Sequence, residues 1–274
     1  MDKLENRGVE MIKELINNSK KIVIKIGSNT LANQDGTICK TFLQDLSKQI
    51  SHLKDQGKQV VIVSSGARIA GVATLAKWMR KEDIHYKQAL CAIGQVELMD
   101  AYRRVFEEEH IHIGQMLLTR DDFSDPHRTL NIRNTLFTLV DEGVIPIINE
   151  NDTVSVEEIK IGDNDTLAAL TTNLWNADLL ILFSDIDGIY NKNPKTYKDA
   201  EFIEEVNNID VLLKTIEIGT VNDFGTGGIA TKIEAAKKVN NYGIPMILAN
   251  GKKENILLKL LDGSEKGTVF LANN

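Results

Sequence analysis

Four stretches of this chain carry side chains suited to holding charged ligands. Residues 148–165 read INENDTVSVEEIKIGDND and crowd Glu150, Asp152, Asp163 and Asp165 against Asn149, Asn151 and Asn164. Acids and amides at that density either solvate a loop or hold a cation or an ammonium group. Lys25 stands in IVIKIG, a run otherwise made of Ile, Val and Gly. A lysine there is costly to bury without an anionic partner, so it either snorkels from an edge strand or aims at a phosphate. In DFGTGGIATK, residues 223–232, Gly225, Gly227 and Ala230 satisfy G-x-G-x-x-A. No apolar strand precedes them, which excludes a nicotinamide fingerprint, and no Walker A sequence occurs anywhere in the chain. What remains is a glycine-rich turn opening a helix at Ile229, whose backbone N–H groups and Lys232 can hold an anion, or else a plain surface loop. Ser184, Asp185, Asp187 and Gly188 close another apolar run. Such an acidic strand end takes a ribose hydroxyl, a base or a water of Mg²⁺, or it caps a turn.

The elements that must position these groups follow from hydrophobic periodicity. KIVIKIG, QVVIVSSG, HIGQMLLT, VIPIINE, DLLILFSD and IPMILAN are strand-sized apolar runs. Between them, residues 40–56, 86–109, 128–142, 165–175 and 229–241 carry helical spacing, several stopping at a glycine (Gly57, Gly143, Gly243). The alternation predicts βαβ units wound right-handedly around a buried parallel sheet. TVSVEEIKI alternates with period two and reads as a small inserted hairpin. Ligands of such sheets bind beyond the carboxyl ends of the strands. Those ends read IGSNT, SSGAR, NENDT and SDIDG. Any one is an ordinary turn by composition; four at matching positions point to a site.

Composition narrows the function class. The 274 residues carry 32 basic and 39 acidic side chains, a net charge of −7 with no long basic run, which argues against a nucleic-acid partner. No apolar run approaches the length of a membrane span. Residues 1–20 mix both charge signs and space Val9, Ile12, Leu15 and Ile16 for an amphipathic helix rather than a signal peptide. Cys39 and Cys91 lack metal or redox spacing and read as incidental thiols of a reducing cytosol. His110 and His112, at the start of a strand, read as surface or capping residues.

The motifs KIGS (25–28), SSGA (64–67), NEND (149–152), GDND (162–165), SD (184–185) and TGGIATK (226–232), with HIGQMLLTRDDF (112–123), occur in one order. In that order the chain resembles the glutamate 5-kinases of the amino acid kinase family, from about Lys21 to Phe270. The NEND and GDND pair is the specific part: acetylglutamate kinases, aspartokinases and uridylate kinases share the sheet and the two lysines but differ there.

The resemblance implies an α/β fold, a three-layer αβα sandwich on a mostly parallel open sheet. After the helical extension over residues 1–20, which is longer than usual for the family, it implies one kinase domain over 21–274 without a PUA domain, its N-terminal half serving the amino acid and its C-terminal half the nucleotide. The implied reaction moves a phosphoryl group from ATP, with Mg²⁺, to the side-chain carboxylate of L-glutamate, the first step of proline synthesis. By likeness, Lys25 and Lys232 flank the transferring group, while Asp165 orients the lysines or the metal. Ser65 and Gly66 cradle a glutamate carboxylate, and Asp152 and Asn164, helped by Asn149 and Asp163, grip its ammonium and α-carboxyl groups. Gly27, Ser184, Asp185 and the run Thr226, Gly227, Gly228, Ile229, Ala230, Thr231, Lys232 line the nucleotide. A cytoplasmic homo-oligomer, dimer or tetramer, with feedback inhibition by proline is implied in the same way. An acceptor other than glutamate, or an inactive nucleotide-binding regulator, are the alternatives. Arg68 departs from the pattern, standing where a small or apolar residue is expected, and Ser184 replaces a Thr.

Overall fold

A computed structural model describes residues 7–76, 82–155, 164–194, 196–216 and 228–272. Helix α1 (Arg7–Asn18) leads into β1 (Lys21–Ile26), then the single turn α2 (Ser28–Leu31), α3 (Lys40–Asp55) and β2 (Gln59–Ser64). Helices α4 (Ala67–Leu75) and α5 (Ile84–Glu108), β3 (Ile113–Leu118), α6 (Pro126–Asp141) and β4 (Ile145–Glu150) follow. The second half holds α7 (Asp165–Trp175), β5 (Leu179–Ser184), β6 (Ile189–Tyr190), β7 (Phe202–Ile203), β8 (Glu205–Val206), α8 (Ile209–Thr215), α9 (Ile229–Asn240), β9 (Met246–Asn250), α10 (Ile256–Asp262) and β10 (Thr268–Phe270).

All six expected strands exist, and they join β8 and β10 in one sheet of order β3-β4-β2-β1-β5-β9-β10-β8. It is parallel except between β9 and β10. The chain builds outward from β1 in one direction and then returns to its other side, so β1 and β5 flank a topological switch point, where open sheets bind ligands. Helices α5 and α6 start two residues earlier than periodicity indicated. Asp83 accepts from the N–H groups of His85 and Tyr86, and Asp125 from that of Arg128, so each acid caps its helix outside the apolar pattern. The expected hairpin falls mainly on residues 156–163, outside the described residues.

Two core clusters, one on each face of the sheet, make the three layers. Ile22, Ile24 and Ile26 pack with Ile12, Leu46, Tyr102 and Leu257 from the helices on one face. Val23, Leu180 and Leu182 pack with Leu136, Leu167 and Ile233 from those on the other. Side chains alternate along a strand, so Lys25 shares the face of Val23 and points at the layer holding α7 and α9. It is no edge-strand lysine: β1 is central, pairing Lys25 with Val63 and Leu182, and the residue is 3% exposed.

Helix α1 is bound into the domain rather than trailing from it. The buried Lys58 ammonium donates to the carbonyls of Ile16 (2.7 Å), Asn17 (2.9 Å) and Ser19 (2.9 Å), the negative end of the α1 dipole. Among the described residues, no helix is long and apolar enough to cross a membrane.

Candidate active site

Residues 25, 165 and 232 meet. The Lys25 Nζ pairs with Asp165 Oδ1, and the Lys232 Nζ lies 3.2 Å from Asp165 Oδ2. Asp165 is fully buried, Lys25 and Lys232 nearly so. Each reaches the point from a different element: Lys25 from the inward side of β1, Asp165 from the first turn of α7, Lys232 from the first turn of α9. An acid in the first turn of α7 is favoured by the positive end of that helix. Thr231 Oγ1 donates to Asp165 Oδ2 (3.0 Å) as well as to the Gly228 carbonyl (2.9 Å), so a hydroxyl expected on the nucleotide helps hold the carboxylate. Away from water such a charge cluster persists only when its members are paired, and it adds no stability that apolar packing would not.

The residue before Asp165 belongs to a second network. Asn164 Nδ2 donates to the Ser64 carbonyl and to Asn149 Oδ1 (2.7 Å). Asn149 in turn donates to Gln95 Oε1 (2.7 Å), and its Oδ1 accepts the Glu150 N–H (2.9 Å). One peptide bond thus joins the charged cluster to a web of amides. Ser65 Oγ is buried without a partner among the described residues, an arrangement costing about 1–3 kcal/mol unless a ligand satisfies it. Gly66 next to it has φ +97°, so the chain turns through the left-handed region just before α4 and leaves the first N–H groups of that helix uncapped by a side chain.

Asp152 stands at the edge of the web, more than half buried. Burial pushes its carboxyl up from the ordinary range, against the Cys91 thiol and the Arg68 guanidinium, which both pull it down. The Cys91 thiol is itself pushed far up by burial and by Asp152, so it stays neutral. Arg68, the departure from the expected pattern, lies close enough to Asp152 and Cys91 to act on both. A cavity of about 450 Å³ opens beside these groups, lined among others by Cys91, Gln95, Glu150 and Asp152.

On the nucleotide side, Gly27 N–H donates to the Phe183 carbonyl (3.3 Å), and a Cβ there would approach Lys25 Nζ to 3.8 Å. Ser184 is buried at the end of β5, while the exposed Asp185 accepts from Asn29 Nδ2 (3.1 Å). Gly228 caps α9, with Ile229 and Ala230 in its first turn. Asp163, Thr226 and Gly227 lie outside the described residues. Sequence reasoning missed Gln88, Gln95 and Asn29, neutral amides with no charge pattern to mark them. It also missed the ion pair of Lys253 with Asp187 (2.9 Å). Among the described residues no group of three His, Cys, Asp or Glu side chains could hold a metal, and both Asp165 oxygens are taken by ammonium groups.

Known proteins resemble this chain in sequence and in fold. The family described as the amino acid kinase family matches residues 20–250. Glutamate 5-kinase of Alkaliphilus metalliredigens is 80% identical over 262 residues, covering 96% of this chain and 99% of the relative. Glutamate 5-kinase of Alkaliphilus oremlandii is 68% identical over 260 residues, covering 95% and 99%. Among solved structures, the UMP kinase of Ureaplasma parvum aligns with a TM-score of 0.65 at 17% identity, over 93% of this chain and 99% of that one. The carbamate kinase of Giardia lamblia bound to AMP-PNP aligns at 0.63 and 15%, with the same coverage. Identity that low shows a common fold and nothing finer.

Proposed function

Since the chain belongs to the amino acid kinase family, and within it to the glutamate 5-kinases, we propose a division of labour among its residues. The enzyme transfers the γ-phosphoryl group of ATP to the side-chain carboxylate of L-glutamate, forming L-glutamyl 5-phosphate and ADP for proline synthesis. A glutamate oxygen forms the new bond to the γ-phosphorus as the bond to the β,γ-bridging oxygen breaks, and ADP leaves with that electron pair. No proton need move. The protein's task is to align two anions and neutralise the charge between them.

Lys25 and Lys232 are the residues we assign to that charge, flanking the migrating phosphoryl group. Asp165 is their positioning residue: one carboxylate pairs with both ammonium groups and aims them together. Ser65, Gly66 and the uncapped start of α4 take a glutamate carboxylate. Asn149, Asn164, Asp152 and Asp163 hold the ammonium and α-carboxylate, which need acceptors and donors side by side. Gly27, Ser184, Asp185 and residues 226–232 line ATP. Mg²⁺, when it arrives with ATP, spreads charge over the phosphate oxygens. A cation that prefers phosphates and water over a multi-acid cage fits this donor set, and the engagement of Asp165 argues against that residue as its ligand.

The observation that carries this reading is the peptide bond between Asn164 and Asp165, which binds the amide web to the lysine pair. The test is to incubate the purified chain with ATP, Mg²⁺ and single amino acids, trapping acyl phosphate with hydroxylamine. Hydroxamate from glutamate alone supports the reading; hydroxamate from another acceptor, or nucleotide binding without turnover, refutes it. On the strength of the resemblance we extend the proposal to a cytoplasmic homo-oligomer inhibited by L-proline, to be checked by light scattering and by proline titration of the same assay.

A further inference from the structure

Resting on that reading, we infer that α5 is the positioning element of the glutamate pocket, acting through a stripe of three side chains, Gln88, Cys91 and Gln95. Their spacing of three and then four residues places them on one helical face. Gln88 Nε2 donates to the carbonyls of Asp152 (3.1 Å) and Thr153 (3.2 Å). Cys91 lines the same cavity as Asp152, and its thiol favours the ionised carboxylate there. Gln95 Oε1 accepts from Asn149 Nδ2. Three points of the strand end 149–153 are thereby held by one rigid helix.

The same helix is locked to the other glutamate loop. A Cβ on Gly94 would lie 1.7 Å from the Ala67 carbonyl oxygen, and one on Gly71 would lie 1.9 Å from that of Leu90. The backbones of α4 and α5 therefore touch, and Ala67 directly follows Ser65 and Gly66. Helix α5 makes one unit of two loops that come from different strands. It does so with neutral donors and acceptors, so it orients the pocket without competing for the charges of the ligand. Cys91 has a second effect. Among the described residues, the charged and titratable groups acting on Asp152 are Arg68 from α4 and Cys91 from α5, both favouring the ionised carboxylate against its burial.

The full chain separates this from a purely structural role when glutamate and ATP are varied independently across pH. Cys91→Ala is expected to raise the KM for glutamate roughly 3–10-fold, the equivalent of one neutral hydrogen bond, with kcat and the KM for ATP within about twofold. It also moves the acid limb of kcat/KM for glutamate to higher pH, because Asp152 loses a donor that favours its ionised form. Cys91→Ser keeps a donor and restores both. Gln95→Ala and Gln88→Ala raise the same KM without moving the limb, and they serve as the test should Cys91→Ala not fold. KM values for both substrates rising together, or glutamate KM unchanged in all three alanine variants, would overturn the inference. Wild-type chain that makes no hydroxamate from glutamate refutes the function itself; active wild type with unaffected variants refutes only the role of α5.

Discussion

The two halves of the site are built from opposite materials. Around Asp165 three formal charges sit almost without water, within ion-pair distance of one another. Around Asn149, one residue along from Asp165 through Asn164, the hydrogen-bonded network is made of amides and main-chain groups, with a serine hydroxyl and the buried Glu150 carboxylate beside it. In the proposed division of labour, fixed charge stands where charge is stabilised in transit, because preorganised charges in a dry site need no reorganisation during the reaction. In the same proposal, amides predominate where a ligand of both signs is oriented, because each amide offers a donor and an acceptor.

The largest expected effect comes from breaking the charged half alone. Lys232→Ala should lower kcat roughly 10²–10³-fold while glutamate KM stays within a few-fold, as read by steady-state hydroxamate formation. An equal loss in kcat from Asn149→Ala would erase the contrast. Next, Asp165→Asn strands two buried ammonium groups, with an expected stability loss of about 3–5 kcal/mol in denaturant titration. Smaller is the effect of Asn164→Ala, which removes two hydrogen bonds of the amide half: glutamate KM should rise roughly 10–30-fold with ATP KM unchanged.

Smallest, and opposite in sign, is the stability effect of Asp152→Asn. Burial raises the Asp152 pKa above its unfolded value, so its contribution to stability is present below pH 3.8 and is lost as pH rises through the folded value. Once ionised, the buried carboxylate costs stability, which the proposed binding of an ammonium group would offset. The variant should therefore melt higher by roughly 1–3 °C at pH 7 while losing glutamate affinity, and that gain should vanish in melts near pH 3.

Much of the fold could be read from hydrophobic spacing, since a buried parallel strand has to be apolar along its length and a two-sided sheet demands helices between strands. Helix starts were displaced where Asp83 and Asp125 supplied caps outside the apolar pattern. Short elements such as β8, β10 and α10 lacked the length to declare a period. The strand-end loops at 26–30, 64–68, 149–153 and 184–188 were legible because glycine, amide and acid cluster there. Gln88 and Gln95 were not, because neutral polar residues at helical spacing look like any solvated face.

Residue types and their order determined the layered sheet, the edge of it that binds ligands, and the presence of two lysines and a carboxylate suited to phosphoryl transfer. Only the tertiary structure decided that those lysines, 207 positions apart, close on the two oxygens of one aspartate, and that α5 bonds the strand end 149–153 while packing its backbone on α4. The reason is geometric: local periodicity reports which face of an element is buried, whereas convergence of side chains from β1, α7 and α9 depends on how those elements stack. No span of the chain short enough to show a pattern contains all three.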